Sequence, residues 1–212
     1  MEWDLLKGVP EDTIRELLSG ARRRRFARRE VLFHAGDPAA SVHLVAKGRI
    51  AIRVTTPLGD VATLSIVVAG DVLGEMALLA PGGVRSATAI ALQPTETLMI
   101  DASTFADLRR SEPGLTDALV TLLADRVRQL NDRLLEALYV PADTRLLRRV
   151  SELAELYGAD IPLTQEDLAG LAGATRSTVN RVLRREERDG TLVLGRGRVT
   201  IVDPQALARR SR

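Results

Sequence analysis

The feature that most restricts how this chain can fold is a change in hydrophobic period near Ile100. Upstream, from about Arg24, short β-prone runs alternate with turn residues: Val31-Leu32-Phe33, His43-Leu44-Val45, Ile50 to Val54, Val61 to Val68 and Thr97 to Ile100. The breaks fall at Gly36-Asp37-Pro38, Lys47-Gly48, Pro57-Leu58-Gly59-Asp60, Gly70-Asp71 and Pro81-Gly82-Gly83. Turn signals spaced by about 8–12 residues predict an all-β barrel or jelly roll rather than βαβ units. Ahead of this block, Leu5, Leu6, Val9, Ile14, Leu17 and Leu18 recur at helical spacing and predict a short amphipathic helix over residues 4–20.

Downstream the chain reads as helical. Asp101-Ala102-Ser103 is a helix-start cluster, and after Pro113-Gly114 apolar residues recur at Leu119, Leu123, Val127, Leu130, Leu134 and Ala137. These steps of three and four, flanked by Asp125, Arg126, Arg128, Asp132 and Arg133, fit two structures: a helix packed on its own domain, or one that pairs in parallel with a second copy. In the second, Leu119, Leu123, Val127, Leu130 and Leu134 are the dimer contacts. Pro141 biases Val140 away from helix, so Tyr139-Val140-Pro141-Ala142-Asp143 is the expected hinge. The domains predicted are a β domain over 1–112, a long helix over 113–138, the hinge over 139–143 and a smaller domain over 144–212, an α+β fold.

That last domain reads helix, helix, helix, hairpin. Thr144 to Tyr157 is amphipathic through Leu146, Leu147, Val150, Leu153 and Leu156. Thr164-Gln165-Glu166-Asp167 resembles a capping box that opens a helix through Leu171. Gly173-Ala174 makes a turn, Thr175 caps the next helix, and Gly190 ends it. Two runs, Leu192 to Leu194 and Val199 to Val202, flank Gly195-Arg196-Gly197-Arg198 as a hairpin. Two short helices joined by a Gly-containing turn form a helix-turn-helix pattern, and the hairpin makes it winged.

Charge sharpens this reading. The net charge is only +2, yet Arg176 to Arg198 holds seven Arg against Glu186, Glu187 and Asp189, which suits a polyanion. In the second helix Val179, Val182 and Leu183 form a buried stripe and leave Arg176, Ser177, Asn180, Arg181 and Arg184 on the other face. Arg can pair with guanine O6 and N7, Asn can pair with adenine, and Thr175 can donate to phosphate. The alternative is a solvated, Arg-rich helix face. Arg22-Arg23-Arg24-Arg25 with Arg28-Arg29 reads as a solvated strand edge, with nucleic-acid contact as the alternative.

The segment Gly70-Asp71-Val72-Leu73-Gly74-Glu75-Met76-Ala77-Leu78-Leu79 is followed by Arg85-Ser86-Ala87-Thr88. A phosphodiester ligand requires a fixed cationic fork, further donors for its second oxygen and an acceptor for a sugar hydroxyl. Arg85, Ser86 and Glu75 supply these, and Gly74 permits close backbone approach. A simple Glu75–Arg85 ion pair across a turn is the other reading.

The Gly-Glu-x-Ala-Leu-Leu and Arg-Ser-Ala-Thr motifs resemble the phosphate-binding cassette of cyclic-nucleotide-binding domains. With the β-roll, long helix, hinge and winged helix-turn-helix, nearly the whole chain resembles the cyclic AMP receptor protein and fumarate-nitrate regulator superfamily of bacterial transcription regulators. The resemblance implies a homodimer of N-terminal cyclic-nucleotide-binding jelly rolls and long dimerisation helices. Its C-terminal domains would bind a palindromic double-stranded operator, with RNA polymerase as a further partner. Gly74, Glu75, Met76, Arg85 and Ser86 would hold the ribose and cyclic phosphate, with Leu64, Ser65 and Asn131 near the base. Thr164, Thr175, Arg176, Ser177, Asn180, Arg181, Arg184, Arg196 and Arg198 would face DNA. Cyclic AMP is the first-choice effector, with cyclic GMP or no effector as alternatives.

Two departures are visible. Leu130-Asn131 replaces the Thr-Ser pair that cyclic AMP receptors carry on this helix, and a Leu side chain cannot hydrogen-bond to a base. In the recognition helix, Arg-Glu-x-x-x-Arg reads Arg176-Ser177-x-x-x-Arg181, which removes an acceptor for cytosine N4. An effector-independent regulator of the same family is the first alternative.

Other function classes are narrowed by residue supply. With no Cys, thiolate zinc sites and Cys-ligated iron–sulfur clusters are impossible. The only histidines, His34 and His43, are too few for a cupin-like metal site and serve a haem reading poorly. A metal-dependent or non-DNA cyclic-nucleotide-binding jelly roll is the alternative of another class. The expectation is no metal, no catalytic residue and no enzymatic activity. Met1-Glu2-Trp3-Asp4 shows no leader pattern and no run approaches the ~18 apolar residues of a membrane span, so a cytoplasmic protein without membrane contact is predicted.

Overall fold

The computed structural model describes residues 3–57, 59–79 and 83–211, so Leu58, Pro81 and Gly82 of the expected turns lie outside the described residues. The chain divides into two compact units, 1–55 with 64–128 and 56–63 with 129–212.

The first unit opens with a 3₁₀ turn, Asp4–Leu6, and helix α1, Glu11–Gly20. The single helix expected over residues 4–20 is thus divided: Gly8 has φ +89° and Pro10 takes the N-cap of α1, which together interrupt the turn. Eight strands follow: β1 (Arg22–Phe26), β2 (Val31–Phe33), β3 (Ser41–Lys47), β4 (Arg49–Thr55), β5 (Val61–Val68), β6 (Val72–Leu73), β7 (Thr88–Ala91) and β8 (Thr95–Asp101). They form two four-stranded sheets, β1-β8-β3-β6 and β2-β7-β4-β5. Helix α2 (Glu75–Leu79) stands between β6 and β7, and α3 (Ala102–Ser111) and α4 (Pro113–Tyr139) follow β8. Strands β6 and β7 and helix α2 were not separated in the sequence reading, whereas β1 falls on the arginine run read there as a strand edge.

Strand β3 explains how the sheets are filled. Its residues Ser41 to Val45 are all buried, because alternate side chains enter different cores. Val42 and Leu44 join Trp3, Leu17, Ile100, Phe105, Leu115 and Leu119 in a cluster with the helices. Val45 joins Ile50, Val67, Leu73 and Ala89 in a second cluster between the sheets. The Trp3 indole N–H donates to the Val45 carbonyl at 3.1 Å and secures the N-terminal segment. The Arg-rich β1 pairs with β8 at the sheet edge, where Arg22 meets Asp101, and Arg23 and Arg25 meet Glu96.

The second unit contains α5 (Ala142–Tyr157), β9 (Asp160–Ile161), α6 (Gln165–Ala172), α7 (Arg176–Arg188), β10 (Leu192–Gly195), β11 (Arg198–Ile201) and α8 (Pro204–Arg210). Leu146, Leu147, Val150 and Leu153 of α5 are buried, as are Leu168 of α6 and Val179, Val182 and Leu183 of α7. The sheet order is β10-β11-β9, and Gly197 at the hairpin tip takes φ +69°. Helix α8, which the sequence reading did not separate, closes this core with Leu207.

On α4 the apolar seam divides. Leu119 is 3% exposed and packs in its own domain's core beside Leu115, so it has no surface to offer a partner, which corrects the expectation for that residue. Val120, one position later, is 61% exposed. From it the heptad steps run through half-buried Leu123 to Val127, Leu130 and Leu134, the last three each more than half exposed. Among the described residues no helix is long and apolar enough to cross a membrane.

Candidate effector pocket and nucleic-acid interface

The cassette is assembled by backbone turns. Asp71 accepts the Val68 N–H through Oδ2 at 2.8 Å and fixes the turn into β6. Gly74 then takes φ +89° and delivers Glu75 to the start of α2. Arg85 is held from the other side: its N–H donates to the Asp37 carbonyl at 2.9 Å and its own carbonyl accepts from Gly36 at 2.8 Å.

The two charged groups are buried beside each other but do not form an ion pair with one another among the described residues. Glu75 is fully buried, and its Oε1 accepts from Arg126 Nη1 of α4, while Arg126 Nη2 donates to the Val72 carbonyl at 3.2 Å. Arg85, 5% exposed, donates through Nη1 to the Gly74 carbonyl at 2.8 Å and through Nη2 to the Ser41 carbonyl at 2.7 Å. Its guanidinium lies 4.2 Å from the Phe33 ring centre. Glu75 Oε2 and Arg85 Nε have no hydrogen-bond partner among the described residues although both are buried. Burial pushes the Glu75 carboxyl up, against the pull of Arg126, and burial pushes the Arg85 guanidinium down. The cassette thus carries one buried acceptor and one buried donor of opposite charge that its own described residues leave unsatisfied. A Cβ on Gly74 would lie 2.3 Å from Arg85 Nη1, so this cradle closes only around glycine.

The structure therefore brings Gly74, Glu75 and Arg85 together. Met76 on α2 and Ser86 after Arg85 have exposed side chains, Leu64 and Ser65 lie on β5 exposed and half-buried, and Asn131 is exposed on α4. None of these five hydrogen-bonds to the Glu75–Arg85 pair among the described residues. Arg126 and Ser41 were not singled out by sequence. Arg126 reads there as one more flanking charge of the long helix, and nothing in its spacing marks it as the residue that grips Glu75.

His43 occupies the neighbouring interior. It is 4% exposed, with Nε2 3.2 Å from Ser41 Oγ and Nδ1 3.0 Å from Thr97 Oγ1. Burial first, then the charges of Arg85 and Arg24, lower its pKa from 6.5 to about 4. Both ring nitrogens are engaged by hydroxyls, which leaves neither free to ligate. Among the described residues no group of three or more His, Cys, Asp or Glu could hold a metal ion.

In the second unit, Thr164 forms the expected capping box: its Oγ1 accepts from Asp167 N–H at 3.2 Å, and the Asp167 carboxylate accepts from Thr164 N–H at 2.8 Å. Its hydroxyl also donates to Asp167 at 2.7 Å, so that proton is committed to the cap rather than offered to phosphate. Thr175 similarly caps α7, accepting from Thr178 N–H at 3.2 Å, and shares hydrogen bonds with Ser177 Oγ and Thr178 Oγ1. Arg176, Ser177, Asn180, Arg181 and Arg184 all emerge exposed on one face of α7, and Arg196 and Arg198 are exposed on the hairpin. Thr164, Gln165, Arg176, Gly195 and Arg198 line a common cleft between hairpin and helices. Asn180 Nδ2 donates to Gln165 Oε1 at 3.1 Å and braces α7 on α6. Arg184 meets Glu187 at 2.8 Å, and Arg181 meets Asp143. Glu186, which sequence does not distinguish from its exposed neighbours, is fully buried and pairs with Arg210 of α8 at 2.7 Å.

A cyclic nucleotide-binding domain family model matches residues 23–112, and a Crp-like helix-turn-helix domain model matches residues 144–210. The chain is 31% identical over 198 residues to the cyclic AMP receptor protein of Thermus thermophilus, covering 93% of this chain and 91% of that one. It is 27% identical over 216 residues to the CRP-like cAMP-activated global transcriptional regulator of Mycobacterium tuberculosis, covering 98% and 96%. Among solved structures, the c-di-GMP responsive global regulator CLP of Xanthomonas campestris shares the fold at a TM-score of 0.79 with 22% identity, over 91% of this chain and 99% of that one.

Proposed function

This chain belongs to the CRP/FNR superfamily of transcription regulators, with a cyclic nucleotide-binding domain and a helix-turn-helix domain, and from that premise we propose that it is a homodimer whose binding to a palindromic operator is controlled by cyclic AMP. The observation that carries the effector reading is the pair of unsatisfied buried atoms, Glu75 Oε2 and Arg85 Nε, in the cassette where the Arg85 guanidinium packs directly on Gly74. Arg85 and Ser86 take the cyclic phosphate, Glu75 the ribose hydroxyl, with Gly74 and Met76 beside them. Leu64, Ser65 and Asn131 attend the base.

Residues 1–112 act as the effector domain, 113–138 as the dimer helix, 139–143 as the hinge and 144–212 as the DNA-binding domain. The seam of exposed Val120, Val127, Leu130 and Leu134 with half-buried Leu123 supports pairing of α4 with a second copy. Glu75 is the point of transmission within the first unit, because the carboxylate that the ribose engages is already bonded to Arg126 of α4. Effector binding redistributes that charge pair, and it switches DNA binding only to the extent that it favours the DNA-competent state over the other. On the DNA side, Arg176, Ser177, Asn180, Arg181 and Arg184 face the major groove. Arg196 and Arg198 serve the wing, and Thr164 and Thr175 act mainly by positioning their helices. RNA polymerase and a cytoplasmic location follow from the family reading.

A second reading, an operator-binding regulator that requires no nucleotide, is favoured by Leu130, an exposed aliphatic side chain where cyclic AMP receptors carry a hydrogen-bonding residue. One experiment separates the two. Calorimetric titration of nucleotide-free protein with cyclic AMP, cyclic GMP and c-di-GMP, repeated on Arg85→Leu, should give cyclic AMP binding that the variant loses. Absence of heat with every nucleotide favours the effector-independent regulator.

A further inference from the structure

Arg181 differs from its neighbours on the exposed face of α7 because both of its terminal nitrogens are engaged by one carboxylate. Nη1 donates to Asp143 Oδ2 at 3.0 Å and Nη2 donates to Oδ1 at 2.6 Å. Arg185 Nη1 adds a longer contact to Oδ2 at 3.4 Å. Asp143 lies in the first turn of α5, two residues after Pro141 and outside the two helices of the helix-turn-helix. It accepts from the planar end of the guanidinium, the same two-bond fork that would pair with guanine O6 and N7 or grip a phosphate. One fork cannot make both sets of bonds at once.

We propose that Asp143 sets DNA affinity from outside the recognition helix by occupying the terminal fork of Arg181 until a DNA acceptor replaces it. The inference rests on the reading of Arg181 as a DNA-facing residue. The side chains are 60% exposed for Arg181 and 30% exposed for Asp143, so water and DNA both have access to the pair, and it is a weak hold rather than a structural strut. Its sign opposes DNA in two ways: the carboxylate neutralises one cation of the recognition face, and it places an anion where phosphates approach. An exposed bidentate pair of this kind corresponds to an affinity change of about two- to five-fold per protomer.

The test is a double-mutant cycle on the full chain: wild type, Asp143→Asn, Arg181→Ala and the double variant, each titrated by fluorescence anisotropy against a labelled mixed-sequence duplex over a salt series. Asp143→Asn should tighten binding by about two- to five-fold per protomer and steepen the salt dependence, while Arg181→Ala should weaken binding. In the Arg181→Ala background the gain from Asp143→Asn should disappear. Asp143→Glu, which keeps the charge, should not bind more tightly than wild type. If Arg181→Ala leaves affinity unchanged, the DNA-facing reading of Arg181 fails and the proposal fails with it. If Arg181→Ala weakens binding but Asp143→Asn does not tighten it, the reading stands and the proposal alone is overturned. An equal gain in both backgrounds, or a gain with Asp143→Glu, also overturns it, because general charge removal or local loosening would then explain the effect.

Discussion

Mild acid should destabilise the first unit through one buried imidazole. His43 is held between Ser41 Oγ and Thr97 Oγ1 with its ring 4% exposed, and burial together with Arg85 and Arg24 lowers its pKa from 6.5 to about 4. Because the folded pKa lies below the unfolded one, the unfolded chain takes up the proton first. The stability that neutral His43 provides is therefore intact above about pH 6.5 and is lost as pH falls toward about 4. The whole shift corresponds to about 3 kcal/mol, of which about 2 kcal/mol falls between about pH 7.5 and about pH 5. Trp3, the single tryptophan, is buried in this unit and reports its unfolding by fluorescence. Urea unfolding of wild type and His43→Gln over this range gives the magnitude as a difference, in which carboxylates common to both chains cancel. Wild type should lose about 2 kcal/mol more than the variant on acidification. Parallel pH profiles would refute the claim that this histidine is kept neutral by its surroundings.

Further outcomes follow from other contacts. Gly74→Ala places a Cβ 2.3 Å from Arg85 Nη1 at φ +89°, so it should cost at least about 1–2 kcal/mol in urea unfolding and abolish nucleotide binding in calorimetry. Thr164→Ala removes the capping box of α6 and should lower the stability of the DNA-binding unit by about 1 kcal/mol, read from its far-UV unfolding curve. Leu134→Asp, at an exposed seam position, should leave the fold intact and shift the sedimentation coefficient from dimer toward monomer.

The sequence revealed the fold best where one element faces one environment. The helix-turn-helix was legible because Val179, Val182 and Leu183 recur on a single buried stripe and because Thr164, Thr175 and Gly173 mark its helix ends. Strand β3 was legible only in part, since burial on both faces removes the alternation that normally gives a strand its bounds. The long helix was visible, but the first position of its seam was assigned to Leu119, which is buried. Leu119 and Val120 are adjacent apolar residues, and only packing decides that the first belongs to the core and the second to the surface. The same limit applies to charge. Arg126, Asp143 and Glu186 are not distinguished in the sequence, and each is bonded to a partner 24 to 51 residues away. Gly74, Glu75 and Arg85 could be grouped from sequence because they are local: one glycine turn, one acid and one arginine within a short cassette.

The central claim is that a cyclic nucleotide held by this cassette controls DNA binding. Its most direct test is fluorescence anisotropy of an operator duplex, selected from a random library, titrated with wild type and Arg85→Leu, each with and without saturating cyclic AMP. The account predicts tighter operator binding by wild type when cyclic AMP is present and no response to the nucleotide in Arg85→Leu. Equal operator affinity of wild type with and without cyclic AMP, or an undiminished response in Arg85→Leu, would contradict it.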